Sequence, residues 1–268
     1  MTNSELVVEL FKTNDVVLLG EAHGIHENLQ FVCDLIPDLS SAGVKNIALE
    51  FSCEEMQTVS DDLINSTEFN PQIAREMLFS YNAGWPYLEY QSVHKDVWEF
   101  NQGQEEKVRI LHPSYIYDWS KWNGTRDEET MQLIMHRGHY NVFRADRIGE
   151  VLEKGEKVLG LFGAFHAISN QPPFEIPDWL GTDQTLGQLL KTRYPNRIAS
   201  VNLNNAMAGD WDLEISLADS LTPCQIDYEF LSGHDFAEVT KNWPDPDWTP
   251  TPKDESEYWK IIEARKLV

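Results

Sequence analysis

Two stretches of the chain share a short signature. Gly20-Glu21-Ala22-His23 and Gly163-Ala164-Phe165-His166 each place an imidazole three residues after a glycine, and each follows an apolar run. Two further apolar runs end in titratable groups: Ile47-Ala48-Leu49 leads into Glu50, and Ile110-Leu111 leads into His112. A charge at the tip of an apolar segment is costly unless it is paired or faces a cleft. Imidazole titrates near neutrality and serves as a general base, and a neighbouring carboxylate fixes its tautomer. Glu21, His23, Glu50 and His166 therefore read as a hydrolytic site for a small ester or amide. His23 would take a proton from water, Glu21 or Glu50 would hold its tautomer, and His166 would be a second base, an oxyanion donor or a ligand. The same four residues form a mixed N/O set suited to Zn, Mn or Fe, in which case the metal would activate water instead. At the level of sequence both versions stay open.

A cationic element precedes the second signature. Residues 135–148 read as one helix on which Arg137, Asn141 and Arg144, spaced four and three apart, share a face. Arg137 or Arg144 would then bind a substrate anion or a developing oxyanion. The loop after His112 carries Tyr115, Tyr117, Trp119 and Trp122, which either wall a pocket for a flat ligand or pack onto the sheet. No Gly-x-Ser-x-Gly elbow, Walker A loop or Gly-x-Gly-x-x-Gly turn is present, which removes support for serine α/β hydrolase, P-loop and dinucleotide chemistry.

The elements that must position these residues follow from the apolar pattern. Val16–Gly20, Asn46–Phe51, Lys107–His112, Lys157–Gly163 and Arg197–Leu203 are short segments with apolar centres, which read as strands buried on both faces of a parallel sheet. Helically spaced stretches lie between them, so the expected class is α/β, with a mostly parallel central sheet flanked by helices. In such sheets functional groups collect beyond the carboxyl ends of the strands, which is where the signatures fall. About 54–104 is too long for one crossover and is expected to be a helical insertion between strands 2 and 3. Residues 1–240 read as one domain and 241–268 as an extended connector and terminal helix.

Composition narrows the partners. In 268 residues, 21 Lys and Arg face 44 Asp and Glu, a formal net charge of −23 that disfavours nucleic acid and anionic membrane and leaves a small molecule as the expected ligand. No window is apolar enough to span a bilayer, and the N-terminal residues lack a basic and apolar leader, so a cytoplasmic location is the expectation. The three cysteines lack paired spacing and read as buried thiols. A homodimer is a common state for acidic chains of this size, although no motif argues for an interface.

Taken together, the strand-Gly-Glu-x-His opening at 16–23, Ala48-Leu49-Glu50, the Arg- and Asn-bearing helix and the closing Gly163-x-x-His166 strand resemble the erythromycin esterase/ChaN-like/Tiki superfamily. The likeness covers about residues 14–170. With the aromatic segment Trp85-Pro86-Tyr87, it is closest to ChaN-like haem-binding uptake proteins. The resemblance implies an α/β sheet with a helical insertion and a cleft lined by Glu21, His23, Glu50 and His166 plus an Arg from the preceding helix. It implies either hydrolysis, as in the esterases and the metal-dependent Tiki peptidases, or binding of haem or another tetrapyrrole. In the second case Tyr115, Tyr117 or a histidine such as His112 would be the axial ligand.

Overall fold

A computed structural model of the chain describes residues 2–21, 23, 26–81, 88–118, 121, 127–170, 184–203 and 215–216. In order, the elements are α1 (Asn3–Leu10), β1 (Val16–Glu21), α2 (His26–Ser41), β2 (Val44–Leu49), a short 3-10 turn (Glu54–Met56), α3 (Gln57–Asn65), α4 (Pro71–Tyr81), α5 (Leu88–Asn101), β3 (Arg109–Leu111), α6 (Glu128–Ile134), α7 (Tyr140–Leu152), β4 (Lys157–Gly163), α8 (Ala164–Ala167), α9 (Leu186–Arg193), β5 (Ile198–Asn202) and the two-residue β6 (Ile215–Ser216). The strands form one sheet in the order β3-β2-β4-β1-β5-β6, and every pairing is parallel. The α/β class and the helical insertion between β2 and β3 are as the apolar pattern predicts, while β6 carries no such pattern. The connector and terminal helix expected over 241–268 lie outside the described residues, as do Trp119, Trp122 and residues 85–87.

The continuous apolar strands are explained by a core on each face. Val17 and Leu19 of β1 and Leu159 and Leu161 of β4 pack with α1, α2 and α5, whereas Val16 and Leu18 of β1 and Val158 and Phe162 of β4 pack with α7 and α9. Alternate residues thus find apolar neighbours on opposite sides, and polar alternation disappears from the sequence. Among the described residues no helix is long and apolar enough to cross a membrane. Cys33 and Cys53 are buried free thiols.

The register brings the strand tips to one level. Glu21 at the end of β1 pairs with Gly163 at the end of β4, and Leu49, the residue before Glu50, pairs with Leu161. Because β4 lies between β1 and β2, Glu21, Glu50 and the chain leaving Gly163 converge at the carboxyl edge of the three central strands. Helix α8 begins directly after β4 and is held against α9 at Gly187. A methyl carbon there would sit 2.3 Å from the carbonyl oxygen of Ile168 and 2.6 Å from that of Ala167. Since the obstacle is backbone, Gly187→Ala is expected to cost about 1–3 kcal/mol, measured by urea denaturation; wild-type stability would show that this close approach is not required.

Candidate active site

The site is assembled from strand tips and from helices on both faces of the sheet. Glu21, 2% exposed, ends β1 and accepts at Oε1 from two donors, the His23 Nδ1–H at 3.0 Å and the Tyr90 hydroxyl at 2.7 Å. With Nδ1 committed to a carboxylate, the neutral tautomer of His23 carries its lone pair on Nε2. That nitrogen lies 3.9 Å from Glu50 Oε2, and the imidazole is 28% exposed. Phe51 packs edge-on to the His23 ring at 4.7 Å and to Tyr90 at 5.2 Å, wedged between the two.

Glu50 is the hub. Its Oε2 accepts the Gly163 N–H at 2.5 Å, and its Oε1 lies 3.3 Å from Arg144 Nη2 and 3.2 Å from His166 Nε2. Arg144, itself 2% exposed, also donates from Nε to Ser114 Oγ at 3.0 Å, and that hydroxyl in turn donates to the Glu50 carbonyl at 3.1 Å. On His166, Nδ1 faces Asn141 Oδ1 at 2.9 Å, and the amide is oriented by donating from Nδ2 to the Gln184 carbonyl at 3.3 Å. Both imidazole nitrogens of His166 therefore face acceptor oxygens.

Electrostatics follow from these contacts. Burial opposes ionisation of Glu50, but His166 and Arg144, and then His23, outweigh it and hold the carboxyl well below its ordinary value of 4.5. Burial likewise disfavours a charged His23, yet the hydrogen bond to Glu21 and the negative charges of Glu50 and Glu21 raise it above 6.5. For His166 burial prevails and lowers the pKa, with Glu50 pulling the other way. When protonated, His166 donates to both of its oxygen neighbours, and it gives that proton up more readily than an ordinary imidazole.

Of the residues singled out from the sequence, Glu21, His23, Glu50, His166 and Arg144 are brought together, and four are not. Arg137 stands in the break between α6 and α7, where Gly138 has φ +88° and His139 caps α7, so it does not share a helix face with Asn141 and Arg144. It pairs instead with Glu54 and Glu55 and lies over the rings of Tyr115 and Phe143. Tyr115 is buried with its hydroxyl donating to the Gly138 carbonyl, and Tyr117 packs against it. His112 is 1% exposed, and its Nδ1 faces the Cys53 carbonyl at 3.1 Å. Tyr115 and His112 thus present no ligand atom to a cleft, and they do not fit as axial ligands of a haem. The metal reading can be judged in the same way. Glu50 is already compensated by Arg144, and among the described residues no group of three or more His, Cys, Asp or Glu side chains is arranged to hold a metal.

Tyr90, Ser114 and Asn141 complete the network. Asn141 was visible beside Arg144 as a helix-face neighbour. Tyr90 was legible only as a member of the apolar stripe of α5, in which it is buried with Val93 and Val97.

Fold and site together define a parallel α/β protein with a carboxylate–imidazole network at the carboxyl edge of its sheet. No protein-family model and no curated protein matches the chain. Solved structures do share the fold. ChaN of Campylobacter jejuni, described as binding cofacial haem, is 18% identical over 80% of this chain and 89% of its own, with a TM-score of 0.51. A Bacillus cereus protein is 12% identical over 75% and 68%, with a TM-score of 0.53. A succinoglycan biosynthesis protein is 14% identical over the same shares, with a TM-score of 0.52. At these identities the likeness is one of fold.

Two tests follow from the geometry. A methyl carbon on Gly163 would lie 2.6 Å from His23 Nε2, so Gly163→Ala is expected to displace the imidazole from Glu21 and to destabilise the protein by about 1–3 kcal/mol. A crystal structure of the variant with His23 unmoved would contradict this. The second test concerns pH. Burial, the largest influence on each, lowers His94 to about 4, His112 to about 3 and His139 to about 4, from 6.5. Between 6.5 and about 4 the unfolded chain binds protons at these sites that the native chain refuses. Stability is therefore retained above 6.5 and lost as pH falls. Denaturation curves from pH 7 to 4.5 should show a steep fall that His112→Asn and His94→Asn make shallower; parallel profiles would refute the assignment.

Proposed function

We propose that the protein is a hydrolase of small esters or amides in which His23 is the general base. The observation that carries this is the half-open His23 ring, held by buried Glu21 at Nδ1 with Nε2 turned towards Glu50 and the end of β4. Water beside Nε2 gives a proton to the imidazole as its oxygen bonds to the substrate carbonyl carbon. Glu21 and Glu50 stabilise the imidazolium that forms. Collapse of the tetrahedral intermediate breaks the bond to the alkoxide or amine, and the His23 imidazolium gives the leaving group the proton it took from water, which closes the cycle. Arg144, tied to Glu50 and Ser114, keeps Glu50 ionised during these transfers, a role different from the anion binding expected from sequence. Such proton transfer contributes about 10²–10⁴ in rate.

The test is hydrolysis of a panel of 4-nitrophenyl esters and anilides of short acids. His23→Ala should lower kcat by about 10²–10⁴ with little change in melting temperature. The acid limb of the wild-type pH profile should lie above 6.5, because the base must be neutral and its pKa is raised. Unchanged turnover in His23→Ala would overturn the reading.

A further inference from the structure

Tyr90 comes from α5, the last helix of the insertion, and is separated by 69 residues from the carboxylate it meets. Its side chain crosses to the tip of β1 and donates to the same oxygen, Glu21 Oε1, that accepts from His23. A carboxylate oxygen has two in-plane acceptor directions, so a donor fixed in one confines a second donor to the other. Glu21 is buried and cannot borrow water freely to hold its rotamer. Among the described residues its other oxygen, Oε2, has no hydrogen-bond partner, and the orientation of the carboxylate therefore rests on Oε1. Phe51 adds a second restraint by packing edge-on to both Tyr90 and His23, so the tyrosine and the imidazole are linked by a hydrogen-bonded route and by a packed ring.

We propose that Tyr90 is a positioning residue for His23: through Glu21 it fixes the direction in which the imidazole Nδ1–H points and thereby aims Nε2 at the space before Glu50 and Gly163. This inference rests on the hydrolase reading for its catalytic meaning, although the hydrogen-bonded geometry can be tested without it. It also gives the insertion a purpose. The insertion helix α5 is packed against α2 and sets the entrance of the base from the face of the sheet opposite Arg144 and Asn141, which lie on or at α7. Tyr90 touches no reacting atom in this scheme, and its removal should act on kcat and leave KM in place.

Tyr90→Phe keeps the ring and its contact with Phe51 while deleting the donor. Proton NMR of uniformly ¹⁵N-labelled protein should show the His23 Nδ1–H as a slowly exchanging downfield signal that vanishes in His23→Ala. In Tyr90→Phe that signal should shift upfield or broaden. For 4-nitrophenyl esters kcat should fall about 10- to 100-fold at unchanged KM, with circular dichroism and melting temperature close to wild type. If the variant is unfolded, Phe51→Leu provides the same test through the packing route and should broaden the same signal. An unshifted signal together with wild-type kcat would overturn the positioning role and leave the hydrolase reading standing. Wild-type turnover in His23→Ala would instead defeat the hydrolase reading, and the NMR comparison would still decide whether Tyr90 holds the imidazole.

Discussion

The structure turns on one buried anion. Glu50 leaves β2 into an interior where an unpaired carboxylate would be prohibitively costly, and three separate parts of the chain meet that demand. Arg144 comes from α7, His166 from α8, and the Gly163 N–H from the tip of β4. The first two tie helices on one face of the sheet to its edge and the third ties β4 to β2, so satisfying the charge also fixes where His166 stands. Arg144 would be no less costly without Glu50, since it is 2% exposed against 7% for Glu50. The pair is mutually required, and Ser114 occupies part of the guanidinium's remaining capacity while bracing the backbone of Glu50.

How much of this was legible in the sequence depends on the range of the interactions involved. Strands buried on both faces announce themselves as apolar runs, and the residue that ends such a run lies at the sheet edge whatever the rest of the chain does. That argument picks out Glu21 and Glu50, and the spacing from Gly20 and Gly163 picks out His23 and His166. Choosing between Arg137 and Arg144 required the helix boundary. The boundary is set by Gly138 at positive φ and by His139, whose Nδ1 accepts from the Asn141 N–H at 3.1 Å in place of the usual Ser, Thr, Asp or Asn cap. A histidine cap does not stand out in a sequence, and the two helices read as one. Tyr115 shows a further limit: aromatic residues in a loop look available to a ligand, yet this one closes the turn at Gly138 and packs between Phe143 and His136. Tyr90 had the least chance of being found, because its partner lies in another element and its own spacing suits a core residue.

The two faces of the sheet make different contributions to the chemistry. The α7–α8 side supplies cationic and proton-carrying groups to Glu50, and the α2–α5 side supplies the hydroxyl that meets Glu21. His23 lies where these two sets meet, and its raised pKa records both carboxylates acting against the cost of burial. His166 sits beside one of the same carboxylates but is more enclosed, 12% exposed against 28% for His23, and for it burial prevails. Two imidazoles near one glutamate are thus driven in opposite directions by their depth. Between the two values His166 is neutral while His23 holds its proton, and above both values the two imidazoles are neutral.

His23 approaches the sheet edge more closely than an unshifted side chain at position 163 would allow. Gly163 has φ −50°, an ordinary value for any residue, so glycine is not required there by backbone conformation. It is required by space, because the imidazole of His23 occupies the volume in which a β-carbon would stand. Gly20 serves a comparable end one strand away, where a methyl carbon would lie 3.1 Å from Ala164 Cα and 3.2 Å from Ala167 Cβ and so press on the helix that carries His166. The Gly-x-x-His signature therefore has a physical meaning here that turn formation alone does not supply. In each occurrence the missing side chain makes room for an element bearing the other histidine: Gly163 for the ring of His23, and Gly20 for the helix of His166. Each glycine thus leaves room for the element that carries the histidine of the opposite signature.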